Sequence, residues 1–410
     1  MAGSARTLSP PVASSLARWA TELEPSEEDL ALARRSLLDT VAVMVAARTD
    51  PLVPVMQRLG SRAGRWAALA HVLDYDDLHM PSTTHVSAVC VAVALAADGA
   101  ERAYLAGAGV MTRLGTALGW GHYAAGWHAT CTAGAPAAAA TAAVARGLDA
   151  ERTAVAIALA VPAAGGVQRA FGTAAKSLQV AFAAEAGVRA AELAEAGASA
   201  DVRALEDWMA LVGGDPAALT ASIAAAPAPA VPDGLAIKLY PCCYALQRPI
   251  SAALELGAVP AERVRRVRVL TPACSLTPLI HHRPRTGLEG KFSLEYGIAA
   301  TLLDGRPGIE SFSDEAVARP EAVRLLEAVE VIATDGGDHL LAGEVAIEVG
   351  LEDGIDASAQ LELPPGAPNR PPSDEELHTK LELCAGREAD ALAGLTWESA
   401  AVHLRSTIAS

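Results

Sequence analysis

Aromatic and basic residues are both scarce in this chain of 410 residues. Phe, Trp and Tyr together make up 4% of the sequence, and 32 Lys and Arg stand against 48 Asp and Glu, a formal net charge of −16. Such an acidic balance argues against a nucleic-acid or anionic-membrane surface as partner. A small anionic substrate remains compatible, because a local group of cations can reverse the field inside a cleft.

Cysteines are also few, and familiar cofactor signatures are missing. The six cysteines do not have the spacing of a zinc finger or an iron–sulfur ladder. The adjacent Cys242 and Cys243 could bind a metal, but we expect a small buried pair after a proline turn. No G-x-G-x-x-G or P-loop sequence follows a strand pattern. The cysteine usage predicts a reducing, cytoplasmic compartment.

Bulky apolar runs are absent where a membrane or export signal would need them. The first twenty residues lack the sustained apolar segment of a secretory signal. The long uncharged run 129–145 consists of Ala, Thr, Gly and similar small residues. This composition favours closely packed buried helices over membrane spans.

Alanine-rich helical patterns fill the first 230 residues. The predicted helices are 26–46, 65–73, 86–97, 101–118, 133–146, 150–161, 178–196 and 200–212. After the Pro/Ala segment 227–232 the pattern changes to strands at 264–270, 329–333, 344–349 and 360–363, with helices at 245–256 and 291–303. A final pair of helices follows Ser373.

These patterns predict a mainly α protein with a smaller α+β domain. We expect a helical domain over 1–232 and an α+β lid domain over 233–368. Residues 369–410 would form C-terminal helices that return to the helical domain.

One segment concentrates ionisable side chains in this otherwise apolar region. It is HVLDYDDLHMPSTTH, and its ionisable residues are His71, Asp74, Asp76, Asp77, His79 and His85. Carboxylates near imidazoles can fix a tautomer or set a pKa for proton transfer. A metal site is a second interpretation, although no known ligand spacing matches. The third is that Asp76 and Asp77 only end a helix in solvent.

Further candidates lie in two segments of the helical region. His128 in GWHATCTAG precedes a long helix, where free backbone N–H groups favour anions. Lys176 follows the glycine-rich turn of GGVQRAFGTAAKSLQ and could bind a carboxylate. From spacing alone, a surface lysine is the favoured interpretation of Lys176.

Cations and tyrosines recur at the entry to the second domain. IKLYPCCYALQRP contains Lys238 and Tyr240, and HHRPRTGLEGKFSLEY contains Arg283, Lys291 and Tyr296. The second segment is the densest basic patch in an acidic chain. It would form either a carboxylate-binding rim or a solvated loop.

The order of these motifs resembles the MmgE/PrpD family over nearly the whole chain. The matching motifs, in order, are LDYDD with a following His, GWHATCTAG, FGTAAKSL, KLYPCC, and LEGKFSLEY with LLDG. The family includes 2-methylcitrate dehydratase, cis-aconitate decarboxylase and iminodisuccinate epimerase. The resemblance implies a helical domain with an α+β lid, an active site between them, a homodimer, and no required metal or organic cofactor.

The resemblance also implies roles for individual residues. Its catalytic residues would be Asp74, His85, His128, Lys176 and Tyr296. We expect the two histidines to act as acid and base without assigning which does which. We expect substrate binding by Lys238, Tyr240, His79, Gln179, Arg283 and Lys291.

The chain departs from the family pattern at four positions near the expected site. Leu78 stands where Thr is frequent, Ser177 and Gln179 replace Pro and His, and Cys243 stands where cis-aconitate decarboxylases have His. The expected activity is that of a lyase on a small di- or tricarboxylate, with dehydration favoured. The open alternatives are an isomerase or epimerase, a decarboxylase, a biosynthetic enzyme with a diverged substrate, and a binding protein without activity.

Overall fold

Helices form the first part of the protein in the computed structural model, which describes residues 10–225, 228–335, 337–352, 354 and 356–408. They are α1 (Val12–Glu22), α2 (Glu27–Ala47), α3 (Val53–Met56), α4 (Arg62–Val72), α5 (Val86–Ala96), α6 (Glu101–Ala124), α7 (Ala129–Ala145), α8 (Ala150–Ala160), α9 (Ala175–Glu195), α10 (Ala204–Leu211) and α11 (Pro216–Ala224). Among these described residues, no helix combines the length and apolar character needed to cross a membrane.

Small side chains let the central helices approach closely. Helix α7 is buried from Ala129 to Val144 and packs against α5, α6, α8 and α9. At Gly187 on α9, an added Cβ would lie 2.3 Å from the Cβ of Ala138 and 2.5 Å from the nitrogen of Ala139. Only glycine permits this approach, so the backbones of α7 and α9 pack in direct contact at this point.

A four-stranded sheet and further helices form the second part. The strands are β1 (Val264–Pro272), β2 (Val329–Thr334), β3 (Val345–Leu351) and β4 (Asp356–Leu361), in the order β2-β1-β3-β4. The β1–β2 pair is parallel, whereas β1–β3 and β3–β4 are antiparallel. The remaining helices are α12 (Tyr244–Glu255), α13 (Gly287–Gly290), α14 (Leu294–Asp304), α15 (Asp314–Val317), α16 (Pro320–Ala328), α17 (Asp374–Ala385), α18 (Ala389–Ala393) and α19 (Trp397–Thr407).

Two hydrophobic cores correspond to these two parts. One combines side chains of the first helices with residues of α17 to α19, and α17 packs directly on α2. The other contains residues between 236 and 361, joined by Leu78 and Phe171 from the helical part. The mainly α fold with an α+β part is confirmed, while the domain limits at 232 and 368 stay a prediction.

Candidate active site

Four chain segments converge on one buried cluster. Helix α4 leads into Asp74, while His85 and His128 are the N-cap residues of α5 and α7. Neither histidine makes a side-chain capping bond, so both rings are free for other contacts. The first turn of α9 supplies Lys176.

Asp74 is the centre of charge in this cluster. Its Oδ1 accepts hydrogen bonds from Lys238 Nζ at 2.6 Å and Lys176 Nζ at 3.2 Å, and Lys238 also donates to the Asp74 carbonyl at 2.8 Å. Burial alone would raise the pKa of Asp74, but the two ammonium groups outweigh it and keep the pKa well below its ordinary value. Asp74 is therefore an ionised anchor for two cations and a poor proton acceptor.

The backbone at Asp74 is also unusual. Its φ of 52° places it in the left-handed region, which costs free energy for a residue other than glycine, although Asp tolerates it better than most. This conformation follows directly on the end of α4. It turns the chain so that the carboxylate enters the cluster instead of continuing the helix.

Asp76 joins two histidines. His71 Nδ1 lies 2.7 Å from Asp76 Oδ2, and His85 Nδ1 lies 3.2 Å from the same oxygen without the alignment of a full hydrogen bond. The other ring nitrogen of His71 contacts Lys176 Nζ at 2.6 Å. Burial would raise the pKa of Asp76, but the His71 and His85 rings outweigh that effect and hold the pKa well below its ordinary value.

The histidines of the cluster are neutral. Burial lowers the pKa of His85 to about 3, although Asp76 opposes this shift. Burial, aided by the nearby Lys176 ammonium, lowers the pKa of His128 well below its ordinary value. Burial also lowers the pKa of His71. Each ring is therefore in the neutral form near pH 7, with one protonated nitrogen and one nitrogen that has a free lone pair.

A small cavity adjoins the cluster. Its lining combines charged, polar and apolar residues from both parts of the protein: Asp74, Leu78, Thr83, His85, Tyr123, His128, Phe171, Lys176, Cys243, Tyr244, Phe292 and Leu340. The space that water centres can occupy is about 20 Å³, which suits one or two waters. A di- or tricarboxylate could enter only after the walls separate.

Lys291 lies beside a second small cavity that shares Asp74 and Lys176 with the first. Its ammonium donates to the carbonyls of Leu73 at 2.7 Å and Pro241 at 2.9 Å. Burial lowers the pKa of Lys291 to about 8, because these contacts provide no counter-charge in direct reach. The predicted binding residue therefore connects the second part of the protein to the residue before Asp74.

Gln179 contacts the cluster through His128. Its Nε2 lies 2.6 Å from His128 Nδ1, and the amide also pairs with the backbone of Val167. The structure thus groups Asp74, His85, His128, Lys176, Lys238, Lys291 and Gln179 of the predicted residues. Their predicted roles in catalysis and binding stay predictions.

The remaining predicted residues lie apart from both cavities. The Tyr296 hydroxyl hydrogen-bonds to the Ser311 carbonyl at 2.5 Å, and the Tyr240 hydroxyl lies 3.3 Å from Ser251 Oγ. His79 bonds the carbonyl of Pro232 and the hydroxyl of Ser82. Arg283 is exposed and lies 3.9 Å from Glu327. The sequence order placed these residues near the site, but their side chains point to other partners.

Sequence reasoning left several site residues without a role. His71 and Asp76 were recognised only as members of a charged segment, and Tyr123, Tyr244 and Leu340 not at all. A usable signal was the rarity of lysine: the whole sequence contains four. All four of them, Lys176, Lys238, Lys291 and Lys380, are buried. Because lysine is so rare in this chain, its four positions indicate places where an arginine side chain would not fit the same role.

His71, Asp74, Asp76 and His85 also have the donor types of a metal site, with ligand atoms within 4.8 Å of one another. Asp74 already contacts two ammonium groups. A divalent ion would bring a third cation to the same carboxylate, and this repulsion opposes binding. The donor set therefore fits proton transfer better than metal coordination.

The fold and the cluster together define a two-part, mainly helical protein with a buried cluster of aspartate, histidine and lysine side chains. The chain belongs to the MmgE/PrpD family. The model of the MmgE/PrpD N-terminal domain matches residues 63–213, and that of the MmgE/PrpD C-terminal domain matches residues 240–394. No curated protein matches the chain. Members of the family are generally enzymes of the hydro-lyase type, so membership supports a dehydratase-like or lyase-like function in general.

Proposed function

We propose that this protein is a lyase without an organic cofactor that dehydrates a small di- or tricarboxylate. The observation that supports this most is the closed cavity bordered by two neutral histidines and an ammonium group. Family membership adds the general reaction type. The cavity would have to open to admit substrate, so a cycle of opening and closing belongs to the proposal.

The difficult step of such a dehydration is removal of a proton next to a carboxylate, because negative charge builds up on that carboxylate. Lys176 is positioned to offset this charge. Two of its three N–H groups have partners in the described chain, His71 and Asp74, which leaves one for a substrate oxygen. Lys291 would provide a second cation from the other part of the protein.

Proton transfer is assigned to His85 and His128. One histidine takes the α-proton, the electron pair forms the new C=C bond, and the other histidine donates a proton to the departing hydroxyl, which leaves as water. Tyr296 takes no part in this proposal because its hydroxyl bonds the Ser311 carbonyl. Asp74 keeps the two ammonium groups in place.

Epimerisation is the second candidate, and the cavity lining favours it at one point. Leu78 is buried in the wall, and burial raises the pKa of the Cys243 thiol to about 12. Neither side chain would help a hydroxyl to leave. An epimerase has no leaving group and needs only removal and return of the α-proton.

One experiment separates these reactions. Citrate, 2-methylcitrate, cis-aconitate and iminodisuccinate are incubated with the protein in deuterated buffer and followed by proton NMR. Dehydration gives a vinyl or methyl-alkene signal, and decarboxylation gives a product with one carboxylate fewer. Exchange of the α-proton without product supports epimerisation. No exchange and no turnover with any of the four acids would contradict the proposal.

Substitutions at the cluster should abolish turnover without unfolding the protein. We expect His128→Ala to lower kcat by a factor of about 10² to 10⁴, the usual contribution of a positioned acid or base. We expect Lys176→Ala to lower kcat by a factor of about 10² to 10³, the usual contribution of a group that stabilises developing charge. The partly buried His403 on α19, near Glu388, offers a control, and His403→Gln should keep full activity. Near-full activity of either cluster variant, at unchanged circular dichroism, would refute the assignment.

A further inference from the structure

The orientation of the Gln179 amide is fixed by the backbone. Its Oε1 accepts from the Val167 N–H at 3.0 Å, and its Nε2 donates to the Val167 carbonyl at 3.3 Å. A flipped amide would place donor against donor and acceptor against acceptor, so the network determines which end is nitrogen. The 2.6 Å contact from Gln179 Nε2 to His128 Nδ1 is therefore a hydrogen bond donated to the ring.

A second donor faces the same ring nitrogen. Cys131 Sγ lies 3.2 Å from His128 Nδ1, and burial raises the pKa of the Cys131 thiol, which keeps its proton. The hydrogen bond from Gln179 makes Nδ1 an acceptor, and the protonated Cys131 thiol can donate to the same nitrogen. Because His128 is neutral, its single ring proton lies on Nε2, which has no hydrogen-bond partner among the described residues. The His128 side chain is one of those that line the cavity.

His85 has the opposite arrangement. Its Nδ1 lies 3.2 Å from Asp76 Oδ2, without full hydrogen-bond alignment, and a nitrogen lone pair at this distance would be repelled by the carboxylate. The ring proton therefore lies on Nδ1, and Nε2 has a free lone pair. The closest carboxylate oxygen to Nε2 is Asp74 Oδ1, 3.9 Å away and beyond hydrogen-bond distance.

We propose that Gln179 and Asp76 are positioning residues that set opposite tautomers, making His85 the base and His128 the proton donor. This deepens the proposed function, and its catalytic part rests on it. The α-proton passes to His85 Nε2 and the C–H electron pair forms the C=C bond. The His128 Nε2 proton passes to the leaving hydroxyl, which departs as water. His85 is then an imidazolium and His128 an imidazolate, whose negative charge the Gln179 amide donor and the nearby Lys176 ammonium offset. Transfer of the extra proton from His85 Nε2 to His128 Nε2 returns both rings to the neutral state.

The tautomers can be measured without any substrate. Long-range proton–nitrogen NMR on protein labelled with ¹⁵N-histidine distinguishes a protonated from an unprotonated nitrogen in each ring. Two buried histidines are internal references. His79 Nε2 bonds the Pro232 carbonyl and must be protonated, whereas His122 bonds the Val212 carbonyl through Nδ1 and has the other tautomer. We expect His128 to match His79 and His85 to match His122.

Gln179→Glu tests the cause of the tautomer. A carboxylate accepts where the amide donates, so His128 should move its proton to Nδ1 and change to the pattern of His122. In an active enzyme, kcat should fall by about 10² or more with KM changed much less, as expected for loss of a general acid. Gln179→Leu, which keeps the Cys131 donor, should retain the His128 tautomer and lose less activity.

The outcomes separate the two claims. Wild-type His128 protonated on Nδ1, or a Gln179→Glu protein with unchanged tautomer, would overturn the inference whatever the activity. The expected tautomers in a protein that turns over none of the four acids would support the positioning roles and refute the proposed reaction.

Discussion

Asp74 is the residue on which the charge balance of the cluster depends. It is fully enclosed and holds both Lys176 and Lys238. Removal of one partner from a buried ion pair is costly, because the other charge stays buried without compensation. Loss of the carboxylate is worse than loss of one lysine, since it leaves two ammonium groups unpaired.

We therefore expect Asp74→Asn to lower the free energy of unfolding by about 3–5 kcal/mol. Lys238→Met should cost less, because Asp74 keeps Lys176, and the double variant should cost less than the sum of both. Urea unfolding at pH 7 measures all three. The exposed pair Arg268–Glu348 gives the control, and Glu348→Gln should change stability by less than about 1 kcal/mol. Additive costs in the double variant would contradict the coupling.

At the residue scale, sequence patterns predicted which residues lie in the cluster, but they did not predict which way the side chains point. Asp74, His85, His128, Lys176 and Lys238 surround one site. The sequence gives residue order and not side-chain direction, so it could not separate them from Tyr296. That residue lies on α14, where its hydroxyl bonds Ser311. The pairing of His71 with Asp76 depends on the turn that the positive φ of Asp74 creates.

Arg248 of α12 fixes the loop between β2 and β3 against the cavity. Its buried guanidinium donates to the carbonyls of Leu341 at 3.1 Å, Gly343 at 2.7 Å and Glu362 at 3.1 Å. The same loop places Leu340 in the cavity wall. One side chain thus connects a helix of the second core to the loop that forms part of the cavity wall.

Arg248→Met should loosen this loop. Each lost hydrogen bond is worth about 1 kcal/mol, so amide hydrogen exchange in 339–343 should accelerate by about tenfold or more. Mass spectrometry of peptides from this loop measures the change. Arg319→Met removes the Arg319–Asp304 pair elsewhere in the same part of the protein, so exchange in the loop should stay as in the wild type. Equal exchange in the Arg248 variant would show that other contacts hold the loop.

Element type was easier to predict than element boundaries. Helix α7 begins directly after His128, whereas the pattern suggested residue 133. Within α6 the helical backbone is interrupted at Gly119, with its φ of 72°, directly after the predicted end at residue 118. The start of α7 was missed because its N-cap residue, His128, makes no side-chain capping hydrogen bond. Strand β4 spans Asp356–Leu361, whereas the pattern predicted a strand at 360–363. The start of this strand could not be predicted because its sequence, DASAQL, lacks the β-branched residues that are typical of strands.

All four lysine side chains of the molecule are buried. Their rate of reaction with an amine-reactive reagent therefore measures how often the interior around them opens to solvent. The four lysine side chains should react slowly with an amine-reactive reagent in the native state and fully in urea. Lys291 should react first of the four, because its ammonium hydrogen-bonds to backbone carbonyls, whereas carboxylates pair with Lys176, Lys238 and Lys380 and favour their charged form. Peptide mass spectrometry measures each position. Native labelling as fast as in urea would show an open cavity in solution.

The overall architecture followed from composition, but the assembly of the site did not. Alanine-rich helices and alternating strands predicted the two kinds of structure. The parallel pairing of β1 with β2, about sixty residues apart in the chain, gives no local signal. The approach of Leu78 and Phe171 to the second core likewise depends on tertiary packing.

Gly187 lies far from the buried cluster but belongs to the packing that sets the distance between His128 and Lys176. It lies eleven residues after Lys176 on α9, or roughly 16 Å along the helix, and it fits against Ala138 of α7. His128 precedes the first residue of α7 and Lys176 lies in the first turn of α9. The distance between their side chains therefore depends on how closely the two helices pack at Gly187. We expect any side chain at position 187 to push α7 and α9 apart and to increase the distance between the His128 imidazole and the Lys176 ammonium. The geometry of the site thus depends on a residue that lines neither of the two cavities.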